Sequence, residues 1–126
     1  PMSYILETGG QCVGKGYFSG KLFHINDEYP GAIHIEGVET KVFGQLFTIN
    51  PEAYQQVMRL FDRYERFKED DAENSLFVRT VVNIQTAEHQ VPCWVYLYNK
   101  DTEGLTEISS GYYWQFLKEK NLHKKQ

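Results

Sequence analysis

Apolar residues recur at two spacings along the chain, and these spacings predict strands in most of it and helices in two segments. Five segments have the short apolar runs, bounded by turn residues, that are typical of strands. We predict strands at residues 13–25, 32–35, 40–49, 76–86 and 90–98. Glycines interrupt the first of these segments, as they do at bulges and at the corners of barrels.

Helical spacing marks the middle and the end of the chain. Asn50 is a capping side chain, and Pro51 is the residue type favoured at the first helical position. A helix is therefore predicted from Pro51 to about Phe67. A final amphipathic helix is predicted at residues 112–122, after a Ser-Ser pair that offers a cap.

The remaining segments connect these elements. Residues 4–6 are predicted to begin a short helix, which the Gly-Gly pair at 9–10 ends. Polar loops are expected at residues 68–75 and 99–107. Because the chain contains neither a repeat nor a linker, we expect one α+β domain over residues 1–126, with mostly antiparallel strands.

Charge and composition exclude several kinds of partner. The net charge is −4, whereas binding to nucleic acid requires a surplus of Lys and Arg on one face. The chain has neither a signal-peptide pattern nor an apolar run of about 20 residues, so we expect a cytoplasmic protein without a membrane partner. Cys12 and Cys93 form no metal-binding motif; a disulfide between them stays open, although a single cysteine pair favours a reducing compartment.

Glu65 interrupts the pattern of the central helix. The apolar face of that helix consists of Tyr54, Val57, Met58, Leu60, Phe61 and Tyr64. Glu65 follows Phe61 by four positions and Met58 by seven, so its side chain projects into this face. A carboxyl held there is partly desolvated, which raises its pKa towards neutrality and suits it to general acid/base chemistry. Two alternatives stay open, namely that Glu65 turns to solvent at the helix end or pairs with an arginine.

Two strand patterns give weaker signals. Trp94, Tyr96 and Tyr98 alternate and therefore share one face of their strand, where they either pack in the core or line a pocket. Arg79 shares a strand face with Phe77. An inward-facing arginine binds a carboxylate well, but a strand arginine is more often exposed to solvent or paired structurally.

Six segments, taken in order, resemble a known family. They are residues 13–23, 29–32, 42–47, 61–65, 77–79 and 94–98. Together they resemble the gamma-glutamylcyclotransferase-like family, which includes gamma-glutamylamine cyclotransferase and plant avirulence-induced proteins. The resemblance implies a small mixed, mainly antiparallel β-barrel with flanking helices and an internal cavity.

The same resemblance implies a reaction. The α-amine of a γ-glutamyl amine or peptide attacks its own side-chain carbonyl, which closes the 5-oxoproline ring and expels the amine. Glu65 corresponds to the family's acid/base residue, and no metal or organic cofactor is called for. The residues expected to bind the substrate are Tyr29, Pro30, Gly31, Tyr96 and Tyr98.

The sequence departs from the family in one respect. Family members have a first strand that ends in a Tyr-Gly-Ser/Thr-Leu loop, which grips the glutamyl group, and residues 1–126 contain no match to it. We therefore expect a domain without that strand and loop, whose unpaired sheet edge would pair with a second chain. The rival hypothesis is a non-catalytic small-molecule-binding or assembly protein that keeps the fold.

Overall fold

The computed structural model describes residues 4–7 and 14–124, which form seven strands and two α-helices. The strands are β1 (Tyr4–Glu7), β2 (Gly14–Ile25), β3 (Tyr29–His34), β4 (Lys41–Thr48), β5 (Phe77–Gln85), β6 (Gln90–Tyr98) and β7 (Thr106–Glu107). The helices are α1 (Tyr54–Tyr64) and α2 (Tyr113–Lys124), and 3₁₀ turns occupy Pro51–Ala53 and Glu69–Asn74. Within this part of the chain, neither helix has the length and apolar content of a membrane span.

Five of the strands close into a barrel. They follow the order β2-β4-β1-β6-β5, and β5 returns to β2 where Gln85 pairs with Tyr17. Among the strands of the described residues, only the β1–β6 pair is parallel, while β3 and β7 extend the sheet from the second half of β2. A Cβ atom at Gly16 would overlap the side chain of Ile84, so a glycine is required where β2 approaches β5. The expected small, mixed and mainly antiparallel barrel with flanking helices is confirmed.

Each face of the sheet carries its own hydrophobic cluster. Along β6, Cys93 and Val95 belong to one cluster, which α2 joins through Tyr113. Trp94, Tyr96 and Tyr98 point to the other face and pack in the cluster that contains α1. This alternation confirms that the three aromatic residues share a face. Strand β6 therefore separates two apolar layers.

The predicted N-terminal helix is wrong, because Tyr4–Glu7 forms strand β1. Ile5 and Leu6 are both buried but on opposite faces of the sheet, as an extended backbone places adjacent residues. The strand pairs with β4 on one side and with β6 on the other. The Gly-Gly pair at 9–10 and Cys12 lie outside the described residues.

The helical segment begins at Pro51 as predicted, but as a 3₁₀ turn, and α1 itself runs only from Tyr54 to Tyr64. The Asn50 side chain accepts a hydrogen bond from the backbone N–H of Glu52 over 3.0 Å, which confirms the cap. However, the apolar face is narrower than predicted, because Leu60 and Tyr64 are 63% and 81% exposed. The side chains that pack against the sheet are Tyr54, Val57, Met58 and Phe61, at helical positions i, i+3, i+4 and i+7.

Strand β3 also begins earlier than predicted. Residues 29–31 belong to the strand, where Tyr29 pairs with Ile25 and Gly31 with Phe23. A tight turn makes this possible, since Asn26 and Asp27 adopt left-handed backbone conformations with φ of 53° and 58°. Within the predicted loop at 99–107, Thr106–Glu107 forms the short strand β7.

Candidate active site

The end of α1 fixes the position of Glu65. The backbone N–H of Phe67 donates to the carbonyl of Asp62 over 2.8 Å, and that of Arg66 donates to the carbonyl of Arg63 over 3.2 Å. These two bonds form a Schellman motif, in which Arg66 takes the left-handed conformation with a φ of 57°. Glu65 is the last residue before the chain reverses, so the motif directs its side chain from the helix end towards the sheet.

Glu65 lines a cavity of about 450 Å³. Its walls come from β1, β3 and the turn before it, the start of β5, β6, the end of α1 and the start of α2. The lining residues are Leu6, Glu7, Glu28, Tyr29, Pro30, Ala32, Tyr64, Glu65, Arg66, Leu76, Phe77, Val95, Tyr96, Tyr113 and Trp114. Of the residues proposed from sequence, the structure therefore brings Glu65, Tyr29, Pro30 and Tyr96 together around one hollow.

Gly31 and Tyr98 are not among the residues that line this cavity. They pack against each other instead, since a Cβ atom at Gly31 would lie 3.1 Å from the Cβ of Tyr98. Glycine thus allows β3 to approach β6 closely. The geometry gives Gly31 and Tyr98 a supporting position behind the lining, and a substrate-binding role for them stays a prediction.

The environment of Glu65 changes its acidity. Burial raises the pKa of its carboxyl to about 7. No ion pair within residues 4–7 and 14–120 includes Glu65, which disfavours the alternative of a structural partner arginine. A carboxyl with this pKa is present in both protonation states at neutral pH, as general acid/base catalysis requires.

Glu7 is a second carboxyl in the cavity, and the sequence did not reveal it. Burial and the nearby charge of Glu65 raise its pKa to about 8. Its Oε1 atom is shielded from solvent and has no hydrogen-bond partner among the described residues. Alternation along a strand would have placed Glu7 on the same face as Ile5, but the segment was predicted to be helical. In the described part of the chain, no three His, Cys, Asp or Glu side chains converge as metal ligands.

Arg79 is paired structurally, as one of the two sequence interpretations allowed. Its Nη1 atom lies 3.2 Å from Oδ2 of Asp62, and its guanidinium stacks over the ring of Trp94. The hydroxyl of Tyr96 donates to Oδ1 of the same Asp62. Burial and this acceptor raise the pKa of Tyr96, so its phenol stays protonated. Tyr96 therefore presents its ring to the cavity while its hydroxyl is held by Asp62.

The left-handed Arg66 gives a test of the turn that positions Glu65. We expect Arg66→Gly to raise the free energy of unfolding by about 0.5–1 kcal/mol, because glycine adopts a positive φ without a steric penalty. Urea denaturation measures the change. Arg66→Ala is the control, since it removes the guanidinium but keeps the Cβ atom. It should not raise the free energy of unfolding. Equal stability of the Gly and Ala variants would contradict the assigned turn geometry.

Comparisons with known proteins identify the family of this chain and solved structures with the same fold. The family model described as gamma-glutamyl cyclotransferase, AIG2-like, matches residues 2–115. No curated protein matches the sequence. An uncharacterized protein, PH0828 from Pyrococcus horikoshii, is 13% identical with a TM-score of 0.57, over 95% of this chain and 97% of that one.

Two further solved structures share the fold. Protein ytfP from Escherichia coli is 20% identical with a TM-score of 0.55, over 86% of this chain and 93% of its own. The uropathogenic E. coli-specific protein c4763 is 18% identical with a TM-score of 0.51, over 92% and 77%. At these identities, the likeness concerns the fold alone.

Proposed function

Because the chain belongs to the gamma-glutamyl cyclotransferase, AIG2-like family, we propose that it cyclises a γ-glutamyl amine or γ-glutamyl peptide to 5-oxoproline and releases the amine. One observation carries the proposal beyond family membership. The carboxyl of Glu65, with a pKa raised to about 7, lines a cavity of about 450 Å³. That volume lies in the range of small-molecule sites, and that pKa suits proton transfer at neutral pH.

Glu65 is the proposed acid/base residue. Its carboxylate takes a proton from the α-ammonium of the substrate, and the freed amine attacks the γ-carbonyl carbon to form a five-membered ring. The tetrahedral intermediate then expels the leaving nitrogen, to which Glu65 returns a proton. The amine and the carbonyl belong to one molecule, so holding the substrate folded supplies most of the proximity that the reaction requires.

The walls of the cavity complement a folded glutamyl group. Tyr29 and Tyr96 provide aromatic surface that excludes water from the reacting atoms. Arg66 lies at the same cavity, next to Glu65 in the chain, and its guanidinium complements the α-carboxylate of the substrate. A carboxyl base and a guanidinium on one wall thus match the two charged groups at the α-carbon.

A panel of γ-glutamyl compounds tests the proposal. Incubation with γ-glutamyl amines, γ-glutamyl amino acids and glutathione should release 5-oxoproline from at least one class, as measured by chromatography. The matched β-aspartyl compounds are controls, because their amine would have to close a strained four-membered ring. Release of 5-oxoproline from none of the compounds would contradict the proposal. Binding without turnover would favour the rival hypothesis of a binding protein.

A further inference from the structure

The position of Glu7 makes it part of the same cavity as Glu65. Glu7 is the last residue of β1, which is held between β4 and β6, and it lies directly opposite Gln45 of β4. Its side chain lines the cavity, and its Oε1 atom is out of contact with solvent and without a hydrogen-bond partner in the described structure. Buried oxygens are nearly always satisfied in folded proteins, so this unpaired oxygen requires an explanation.

The groups around Glu7 determine its protonation. The charged residues that share the cavity are Glu65 and Arg66 from the end of α1 and Glu28 from the turn before β3. The phenols that share it are Tyr29, Tyr64, Tyr96 and Tyr113. The charge of Glu65 disfavours ionisation of Glu7, so the two carboxyls titrate as a pair, with pKa values of about 7 and about 8. Between these values, Glu65 is mostly ionised while Glu7 keeps its proton.

The proposed reaction contains two proton transfers at two different atoms. The α-ammonium must lose a proton before it attacks, and the leaving nitrogen must gain one before the C–N bond breaks. We propose that the two carboxyls divide this work, with Glu65 as the base at the α-ammonium and Glu7 as the acid at the leaving nitrogen. This inference rests on the proposed function and moves protonation of the leaving nitrogen from Glu65 to Glu7, which becomes a second catalytic residue. Pairs of carboxyls in different protonation states commonly have such roles.

The transfers balance over one turnover. The Glu65 carboxylate accepts a proton from the α-ammonium, and the nitrogen lone pair forms the new C–N bond while the carbonyl electrons move to oxygen. When the intermediate collapses, the bond to the leaving nitrogen breaks and that nitrogen takes the proton of Glu7. The ring nitrogen, which still carries two hydrogens, gives one to the Glu7 carboxylate. The released amine takes the proton of Glu65, and both carboxyls return to their starting states.

Leaving-group dependence separates an acid from a structural residue. Glu7→Gln keeps the shape of the side chain but cannot donate a carboxyl proton. We expect kcat to fall about 100-fold with a γ-glutamyl alkylamine, whose nitrogen must be protonated to leave. A γ-glutamyl 4-nitroanilide has a far better leaving group, which depends less on proton donation, so its loss should be less than about 5-fold. Glu39→Gln, at an exposed site, is the matched control and should leave both substrates unaffected.

The pH profile gives a second measurement. For the unaltered protein, kcat/KM should rise as Glu65 ionises near pH 7 and fall as Glu7 ionises near pH 8. Glu7→Gln should lose the falling limb and keep the rising one. Glu7→Asp, which keeps a carboxyl on a shorter stem, should retain both limbs at a lower rate, and it stands in if Glu7→Gln fails to fold.

The outcomes distinguish this inference from the proposed function. If the unaltered protein releases no 5-oxoproline, the proposed function fails and the role of Glu7 fails with it. If the unaltered protein is active, while Glu7→Gln loses the same fraction of kcat with both substrates and keeps the falling limb of the pH profile, only the role of Glu7 is overturned.

Thermal unfolding provides the check on the fold. Because the pKa of Glu7 is raised in the folded state, the unfolded state loses this proton first, and stability falls as pH rises from about 4.5 to about 8. Glu7→Gln should lack this part of the pH dependence.

Discussion

We expect replacement of Glu65 by Gln to lower kcat for the proposed formation of 5-oxoproline by about 10³-fold or more, the range in which loss of a general acid/base residue falls. The amide cannot accept a proton from the α-ammonium, so the amine is not freed to attack the γ-carbonyl. The fold should be retained, because Glu65 forms no ion pair in the described structure and Gln relieves the cost of a buried charge. Steady-state assays with the best compound of the panel measure the effect.

The matched control for Glu65→Gln is Glu73→Gln, which changes an exposed carboxyl in the 3₁₀ turn after α1. It should leave kcat unchanged. The two variants should also have superimposable far-ultraviolet circular dichroism, so that a loss of rate is assigned to chemistry. If Glu65→Gln turns over substrate as fast as the control does, Glu65 is not the acid/base residue. The cavity would then be a binding site only.

Local signals in the sequence were sufficient to predict four of the five barrel strands and to single out Glu65. Strands β2, β4, β5 and β6 are long and bounded by turn residues, so their positions follow from short-range pattern. Glu65 stands out because a charged residue interrupts an apolar helical repeat. The cause of its orientation was not readable, since it depends on a reversal at Arg66 that lacks the usual glycine.

Long-range pairing determines the features that the sequence did not reveal. Residues Tyr4–Glu7 have no periodicity of their own, and they form a strand because β4 and β6 offer unpaired backbone groups on both sides. The position of Glu7 at the cavity wall follows from that pairing, and no local sequence pattern predicts it. Leu60 and Tyr64 were placed in the core by helical spacing, yet the sheet contacts only a narrower stripe of α1. How much of an apolar helix face is buried therefore depends on the element that packs against it.

The contacts of Asp62 join the helix to the barrel beside the candidate active site. Its carboxylate pairs with Arg79 of β5 and accepts a hydrogen bond from Tyr96 of β6. The Asp62 and Arg79 side chains are only 19% and 15% exposed. Asp62 is three residues before Glu65, and its backbone carbonyl accepts the Phe67 N–H of the Schellman motif. The same residue therefore holds both the end of α1 and the hydroxyl of Tyr96.

Asp62→Ala should lower the free energy of unfolding by about 3–5 kcal/mol, because it leaves the guanidinium of Arg79 buried without a counter-charge. Urea denaturation at neutral pH measures the loss. The matched control is the double variant Asp62→Leu with Arg79→Met, which removes both charges and keeps apolar volume, and it should recover most of that stability. A loss below about 1 kcal/mol in Asp62→Ala would show that the pair is solvated. In the double variant, the kcat of the proposed reaction should still be reduced, because the Tyr96 hydroxyl lacks its acceptor and the wall beside Glu65 is no longer fixed.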